Sequence, residues 1–414
     1  MSQVQKTSGF SLKSFGPGLL MASTAIGGSH LIASTKAGAI YGWQLVVIIL
    51  LVNLFKYPFF KYSVDYTHDT GHSLVEGYAK KSKFYLTIFF ILIVFSAGVN
   101  ISALGMLSSV ILKTLVPSIS LSLPVLTGIL LAVSWLVVIV GHYKTLDRIT
   151  KVIVISLTVC TVVAVAIAAG NGSQVQPDFV APSAWQLTAL PFIIILMGWM
   201  PAPIDVSAIN SMWISAKQHQ EPVSKQTAML DFNVGYIGTA LLAIVFLTLG
   251  VLVLHGTGQE IGATGFKFVP QLVSVYAATM GDWAKPLVAF IAFTCIYGST
   301  IAVIDGYGRV AAESHRLFAN KPTLTRGYIS GWITLVVLIA LTIIFKFSAQ
   351  LKDMLDFAMI AAFLSAPIFG WLNFSLVRKT GKVSAGLMLL SWLGLAFLSV
   401  FSVVFILFKA NMLS

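Results

Sequence analysis

Eleven long apolar segments follow one another along this chain, and they constrain its fold more than any other sequence feature. A helix that crosses a bilayer needs about 20 mainly apolar residues and must satisfy its backbone polar groups internally. Hydrophobic residues make up 57% of the chain and charged residues only 10%, against about 25% charged in soluble domains. We therefore predict an all-α integral membrane protein. The predicted spans are residues 16–41, 43–62, 84–112, 121–141, 149–170, 187–213, 229–255, 284–306, 327–346, 353–377 and 383–409.

Lysine and arginine are concentrated in every second connection between these segments, whereas residues 171–186 contain neither. Because cytoplasmic loops are enriched in both residues, this alternation predicts a multi-pass plasma-membrane protein with a cytoplasmic N-terminus and an external C-terminus. The net charge of +12 is therefore explained by the basic connections on the cytoplasmic side of a membrane protein, and we expect no nucleic-acid partner. The basic residues are Lys6, Lys13, Lys61, Lys80, Lys81, Lys83, Lys144, Arg148, Lys217, Lys225, Arg309, Arg316, Lys321, Arg326, Arg378, Lys379 and Lys382.

Two predicted spans are interrupted near mid-depth, at residues 27–30 in span 1 and at residues 200–205 in span 6. Paired glycines weaken a helix, and Pro201 and Pro203 each remove an amide donor. Irregular backbone inside a membrane is tolerated where it lines a protein cavity, although a simple kink is the alternative explanation. Breaks in helices 1 and 6 predict two inverted five-helix repeats with a substrate site at the midplane. In this prediction one transmembrane domain, 1–414, contains repeats 16–170 and 187–377 and an extra eleventh helix, 383–409.

Both breaks carry polar side chains, and ionisable groups inside a membrane mark functional sites by default. Asp205 either caps the second half-helix of span 6 or binds a substrate or proton. His30 is either a hydrogen-bonded packing residue or a ligand. Met200 offers a thioether to a soft metal, or it fills space. The candidate substrate-binding residues are Gly27, Gly28, Ser29, His30, Met200, Ala202 and Asp205.

Several short motifs carry a family resemblance. The stretch Gly16-Pro17-Gly18, the break, and Ala37-Gly38-Ala39 with Gly42 resemble the first span of Nramp-type divalent metal transporters. Met200-Pro201 is similar to the start of that family's Met-Pro-His motif, and residues 71–76 resemble its cytoplasmic segment after span 2. The similarity extends thinly over most of the chain. It implies a leucine-transporter-like fold and, in many members, uptake of manganese or iron coupled to protons.

The residues that carry the family's chemistry differ. The Asp-Pro-Gly-Asn motif of span 1 corresponds to Gly27, Gly28, Ser29 and His30, and Met-Pro-His corresponds to Met200-Pro201-Ala202. The acidic residues of the family's span 3 have no counterpart in residues 97–100. A rebuilt site of His30, Met200 and Asp205 would still suit a transition metal. The exposed amides of a Gly-Gly-Ser break would instead suit a carboxylate or another anionic group.

Weaker features are assigned more simply. Ser299 and Thr300 in span 8 lie where sodium-coupled relatives of this fold place an ion, although small hydroxyls also favour helix packing. Asp231 is interpreted as a cap of span 7, and Asp305 is spaced to pair with Arg309. Asn100 and Asn373 are expected to form interhelical hydrogen bonds.

Three functions follow in order of preference. The first is a secondary transporter, working by alternating access, of a small organic solute with an anionic or zwitterionic group. The second is a divalent transition-metal transporter with a rebuilt site, and the third is a non-transporting sensor or a channel. No nucleotide-binding loop or nucleophile elbow is present in the sequence, so we expect neither an enzyme nor a cofactor. The expected partners are membrane lipid, the solute or ion, and a coupling ion, either sodium or a proton.

Overall fold

The part of the chain that the computed structural model of this protein describes is mainly helical, with no strand in those residues. The described residues are 16–141, 143–172, 174–220, 223–347, 353–378 and 382–412. Lys6, Lys13 and Lys379, which entered the orientation prediction, lie outside them, as do the side chains of Lys144 and Arg148. The helices are α1 (Pro17–Ala25), α2 (Thr35–Tyr41), α3 (Val46–Thr70), α4 (Leu74–Lys81), α5 (Lys83–Leu115), α6 (Leu123–Val140), α7 (Tyr143–Gly170), α8 (Leu190–Gly198), α9 (Val206–Gln220), α10 (Lys225–Val253), α11 (Gly265–Met280), α12 (Ala284–Phe318), α13 (Arg326–Lys346), α14 (Met354–Val377) and α15 (Ala385–Lys409).

Each predicted span coincides with one of these helices or with a pair of them. Within the described residues, eight helices are long and apolar enough to cross a membrane, and Ser29–Thr70 counts as one of them because α2 and α3 are joined by a short 3-10 turn. Val154–Gly170 and Leu187–Gly198 are shorter apolar helices. The all-α multi-pass membrane fold is therefore confirmed.

The two halves of the chain repeat one plan. Each begins with a broken helix, formed by α1 and α2 in the first half and by α8 and α9 in the second. Each then has a long helix followed by a short one, α3 with α4 and α10 with α11, and three further long helices. The helix α15 follows as an addition. This arrangement is the predicted pair of five-helix repeats with an eleventh helix.

Both halves of span 1 are held against α10 by close backbone contact. A Cβ built on Gly38 in α2 would lie 2.0 Å from the Leu247 oxygen, and one built on Gly250 would lie 2.0 Å from the Thr35 oxygen. At the other end, a Cβ on Gly235 would lie 2.5 Å from the Gly18 oxygen. Small residues let membrane helices approach this closely. The break of span 1 is therefore fixed against α10 from both sides.

Ion pairs join the loops that are rich in lysine and arginine at one end of the molecule. Lys225 Nζ lies 2.8 Å from the carboxylate of Asp69, and Lys382 lies 3.7 Å from the same residue. The guanidinium of Arg316 lies 3.8 Å from Glu76 in α4. The connections that follow spans 2, 6, 8 and 10 thus meet on one face, as the alternation of lysine and arginine predicts.

Candidate functional site

The break in span 1 lies at Ile26 and Gly27. The amide of Ile26 is the last to bond back into α1, to the Ala22 oxygen at 2.9 Å. Helical structure resumes as a π-helical turn, Ser29–Ser34, whose first bonds run from His30 and Leu31 to the Gly27 oxygen. The amides of Gly27 and Gly28 have no backbone acceptor among the described residues. Two donors are therefore available at the start of the second half-helix.

The break in span 6 separates α8 from α9 and contains Pro201 and Pro203. Three carbonyls that this break frees point to one side chain, the ammonium of Lys56 in the middle of α3. Lys56 Nζ donates to the oxygens of Met197 at 2.7 Å, Gly198 at 2.9 Å and Ala202 at 3.4 Å. The Lys56 side chain is fully buried. A lysine thus terminates the first half-helix of span 6, where the negative end of the helix dipole favours a cation.

A cavity of about 30 Å³ lies between the two breaks. Its wall combines residues at the break of span 1, residues at the break of span 6, and residues of α5 and α12. All lining side chains that the structure describes are uncharged, and the polar ones belong to Thr24, Asn100, Trp199 and Tyr307. The lining residues are Thr24, Ala25, Gly27, Gly28, Asn100, Leu104, Trp199, Ala202, Pro203, Val206, Val303 and Tyr307.

A chain of hydrogen bonds runs along this wall to Asp205. Trp199 Nε1 donates to Asn100 Oδ1 at 3.1 Å, and Asn100 Nδ2 donates to the Tyr307 hydroxyl at 2.7 Å. The Tyr307 hydroxyl in turn donates to Asp205 Oδ2 at 3.2 Å. The indole nitrogen can only donate, which fixes the orientation of the Asn100 amide and hence the direction of the chain. Asp205 Oδ1 has no hydrogen-bond partner among the described residues.

The three residues proposed as metal ligands do not converge on the cavity. His30 is fully buried, with Nε2 3.0 Å from the Thr239 oxygen and Nδ1 2.9 Å from Ser29 Oγ. Both ring nitrogens therefore have a partner, Nε2 on α10 and Nδ1 on the neighbouring residue of span 1. Met200 is buried outside the lining, and Asp205 lies behind Tyr307. No cluster of three His, Cys, Asp or Glu side chains suited to a metal occurs in the described part of the chain.

Of the residues proposed to bind substrate, the structure places Gly27, Gly28 and Ala202 in the cavity wall. Ser29, His30, Met200 and Asp205 lie behind it.

The proposed coupling-ion residues are bonded within the helix bundle. Ser299 Oγ donates to the oxygen of Cys295 at 3.0 Å and contacts that of Ser23 at 3.3 Å. Thr300 Oγ1 donates to the Ile296 oxygen at 2.9 Å and lies 3.2 Å from Ser108 Oγ. These contacts match the packing alternative for small hydroxyls.

Among the simpler assignments, Asp231 is corrected. It lies inside α10, which begins at Lys225, and its carboxylate accepts hydrogen bonds from the amides of Gly16, Gly18 and Leu19. It therefore caps α1 and not span 7, because the free amides at the start of α1 attract a carboxylate from a neighbouring helix.

The other structural expectations are confirmed. Arg309 Nε lies 2.7 Å from Asp305. Asn373 Nδ2 donates to Ser207 Oγ at 2.7 Å, and Asn100 joins α5 to α12 through Tyr307.

Sequence reasoning missed Lys56, Trp199 and Tyr307. A signal for Lys56 was present, because it is a lysine within an otherwise apolar predicted span, where charges are costly and functional by default. Trp199 adjoins the predicted break and could have been included on that ground. Tyr307 is placed only by the packing of α12 against α5.

Solved structures with the same fold are secondary transporters. A mutant of the Eremococcus coleocola manganese transporter superposes with a TM-score of 0.70 at 14% identity, over 97% of this chain and 88% of that one. MhsT in complex with L-phenylalanine gives a TM-score of 0.63 at 12% identity, over 95% and 98% of the two chains. Mhp1, a nucleobase-cation-symport-1 family transporter, gives 0.59 at 17% identity, over 90% and 80%. The leucine-transporter-like fold is thereby confirmed.

Sequence comparison finds a close relative of similar length. No protein-family profile matches the chain. The uncharacterized protein PM0681 of Pasteurella multocida (strain Pm70) is 50% identical over 417 residues, which cover 100% of this chain and 96% of the relative. At this identity over the full length, the chain belongs to the same family as PM0681.

Proposed function

We propose that this protein is a secondary transporter, working by alternating access, for a small organic solute that carries an anionic or zwitterionic group. The solute binds in the cavity between the two helix breaks. Its anionic group faces the amides of Gly27 and Gly28, and the remainder contacts Trp199, Asn100 and Tyr307. The observation that carries the proposal is a cavity with an uncharged lining that reaches both breaks.

The chemistry of the wall supports an organic solute. Backbone amides at a half-helix start bind a carboxylate without a cationic side chain. Trp199 offers an aromatic face, while Asn100 and Tyr307 offer polar atoms whose orientation is fixed by the hydrogen-bond chain. Pockets for small molecules combine apolar walls with a few such positioned polar groups.

Span 1 is tied to the second half of the chain on both sides of the cavity. On the side of the basic connections, the start of α1 is tied to Asp231 by three amide hydrogen bonds. On the opposite side, Lys36 Nζ in α2 donates to the Ala263 oxygen at 2.6 Å. The cavity of about 30 Å³ is far smaller than the roughly 300 Å³ or more typical of small-molecule sites. Solute entry therefore requires the two halves to separate at one of these ties.

A divalent transition metal is the second candidate substrate. It is favoured by the free Oδ1 of Asp205 and by the manganese transporter that shares this fold. Such a site would need the His30 ring to leave Thr239 and the Met200 thioether to turn into the cavity. On this view the chain is a divergent relative of the Nramp-type transporters, with Gly27 in place of the first ligand.

We also propose a plasma-membrane location with the N-terminus in the cytoplasm and the C-terminus outside. The meeting of the basic connections on one face supports this orientation. We treat repeats 16–170 and 187–377, with helix 383–409, as a single transport domain, 1–414. If this orientation is correct, a reporter enzyme that is active only outside the cytoplasm is active when fused to the C-terminus. A fluorescent protein that matures only in the cytoplasm stays dark at the same position.

Uptake into liposomes tests the substrate. The purified full-length protein is supplied with a panel of amino and organic acids and, separately, with manganese and cadmium. We expect the wild type to take up at least one acid and Asn100→Leu to lose this uptake. Asn171→Leu, which makes the same change in an exposed loop, should retain it. Metal uptake that Met200→Ala and His30→Ala abolish would replace the proposal with the metal alternative. Solute binding without any flux would indicate a sensor, and uncoupled flux down the gradient would indicate a channel.

A further inference from the structure

Lys56 is a buried cation that the proposed transport path leaves unused. It lies in the middle of α3, is fully buried, and does not line the cavity. A charge inside a membrane protein is costly unless it is bonded to the surrounding groups. The surroundings of Lys56 should therefore show what retains it.

The ammonium of Lys56 is held by backbone carbonyls. Its three contacts are the oxygens of Met197, Gly198 and Ala202. A protonated lysine has three N–H donors and no acceptor, so three carbonyls match it fully. Within the described residues, Lys56 forms no ion pair with a carboxylate, so these carbonyls are its polar contacts.

In transporters with broken helices, freed carbonyls and half-helix C-terminal ends are also the groups that coordinate a mobile cation. Here the comparable carbonyls of span 1 have donors within the chain as well. The Ile26 oxygen lies 3.3 Å from Cys295 Sγ, and the Ser23 oxygen lies 3.3 Å from Ser299 Oγ. At both breaks, carbonyls that could bind a free ion are therefore bonded to side chains of α3 and α12.

We propose that Lys56 is a tethered cation that takes the place of a mobile coupling cation at the break of span 6. The C-terminal end of α8 is then neutralised permanently, and the protein functions without sodium. The part of this inference that concerns uptake rests on the proposed transport function, whereas the part that concerns stability does not.

Chemical rescue tests the stability part. Thermal unfolding of the full-length protein in detergent is measured in choline chloride, with added sodium chloride, propylammonium or tetramethylammonium. Propylammonium supplies the atoms that Lys56→Ala removes, whereas tetramethylammonium has no N–H donor. Lys113→Ala is the control, because Lys113 also bonds a backbone carbonyl, that of Leu121, but at an exposed position where its removal leaves no enclosed space for an amine.

We expect the wild type to unfold at the same temperature with and without sodium. Lys56→Ala should unfold about 5 °C or more below it, and propylammonium, but not tetramethylammonium, should recover most of that loss. Lys113→Ala should lose little stability and should not respond to propylammonium. Lys56→Met, which fills the space without a charge, should stay destabilised under all conditions.

Other outcomes would overturn the inference. The inference is wrong if sodium raises the unfolding temperature of the wild type. It is also wrong if Lys56→Met is as stable as the wild type. If Lys56→Ala does not accumulate, Lys56→Arg serves instead, because it keeps the charge and should remain insensitive to sodium. Sodium-stabilised Lys56→Arg would contradict the proposal.

The uptake part uses any acid that the liposome panel identifies. Wild-type uptake should be equal in sodium and choline media, and Lys56→Ala should lose it unless propylammonium is present. Sodium-dependent uptake by the wild type would overturn the tethered-cation inference and leave the proposed function intact. A panel without any transported acid would count against the proposed function alone, since the melting series does not depend on it.

Discussion

The carboxylate of Asp231, on α10, accepts a 2.8 Å hydrogen bond from the backbone amide of Gly18 in the first turn of α1. The amides of Gly16 and Leu19 bond to the same carboxylate at 3.1 and 3.2 Å. A negative charge at a helix start is stabilised by the free amides and by the helix dipole. This single side chain therefore ties the first half of span 1 to α10 on the side of the basic connections.

Asp231→Asn should loosen this tie, because the amide oxygen is a weaker acceptor and carries no charge. We expect the stability of the α1 start to fall by about 1–2 kcal/mol, which corresponds to roughly tenfold faster hydrogen exchange at residues 18–20. Exchange followed by mass spectrometry measures this change. Asp282→Asn is the control, since Asp282 is highly exposed and lies in a connection. Equal exchange in both variants would show that Asp231 does not close this end.

Lys36→Met should loosen the opposite end. Lys36 Nζ donates to the Ala263 oxygen at 2.6 Å, and the Lys36 side chain is buried. Removing the ammonium leaves the Ala263 carbonyl without this donor, at a cost of about 1–3 kcal/mol. We expect faster hydrogen exchange in residues 261–266. Lys113→Met is the comparison, because Lys113 also bonds a carbonyl, that of Leu121, but at an exposed position, and it should have little effect.

The two glycines of the span 1 break should respond differently to an added methyl group. A Cβ on Gly28 would lie 3.1 Å from both Trp199 and Met359, whereas one on Gly27 would have no neighbour closer than 3.7 Å. We expect Gly28→Ala to reduce uptake of a transported acid at least about tenfold by displacing Trp199, a cost near 1.4 kcal/mol. Gly27→Ala should reduce it by less than about threefold. Initial uptake rates below saturation measure both, and the reverse order would contradict the assigned geometry.

Much of the fold could be predicted because every segment that crosses lipid must be apolar, long enough to span it, and able to satisfy its own backbone hydrogen bonds. The length and apolar character of the segments predict the helices, and the lysines and arginines predict which connections meet. The breaks at Gly27 and Pro201 were visible because glycine pairs and prolines act locally on the backbone. Asn100 and Asn373 were assigned correctly because amides in apolar helices need partners.

The side chains that surround the two breaks could not be predicted in the same way. His30 is adjacent to the break in sequence, but its side chain turns toward Thr239, a direction set by how span 1 rotates against α10. Tyr307 reaches the cavity from α12, and Lys56 reaches the break of span 6 from α3, and only packing brings them there. Asp231 was assigned to the wrong helix because its partner amides lie 212–215 residues away.

Gly250→Ala should destabilise the contact between α10 and α2, which holds the second half of span 1. The new methyl carbon would lie 2.0 Å from the Thr35 oxygen, and backbone at that point cannot rotate away as a flexible side chain would. We expect a loss of about 1–3 kcal/mol or more, the range for overpacked sites. Gly238→Ala, on the same helix with nothing within 4 Å of the added carbon, should be neutral or should stabilise the protein by up to about 1 kcal/mol through helix propensity. Thermal unfolding of the two variants in one detergent measures the difference. Equal unfolding temperatures would mean that α2 and α10 are farther apart than this structure has them.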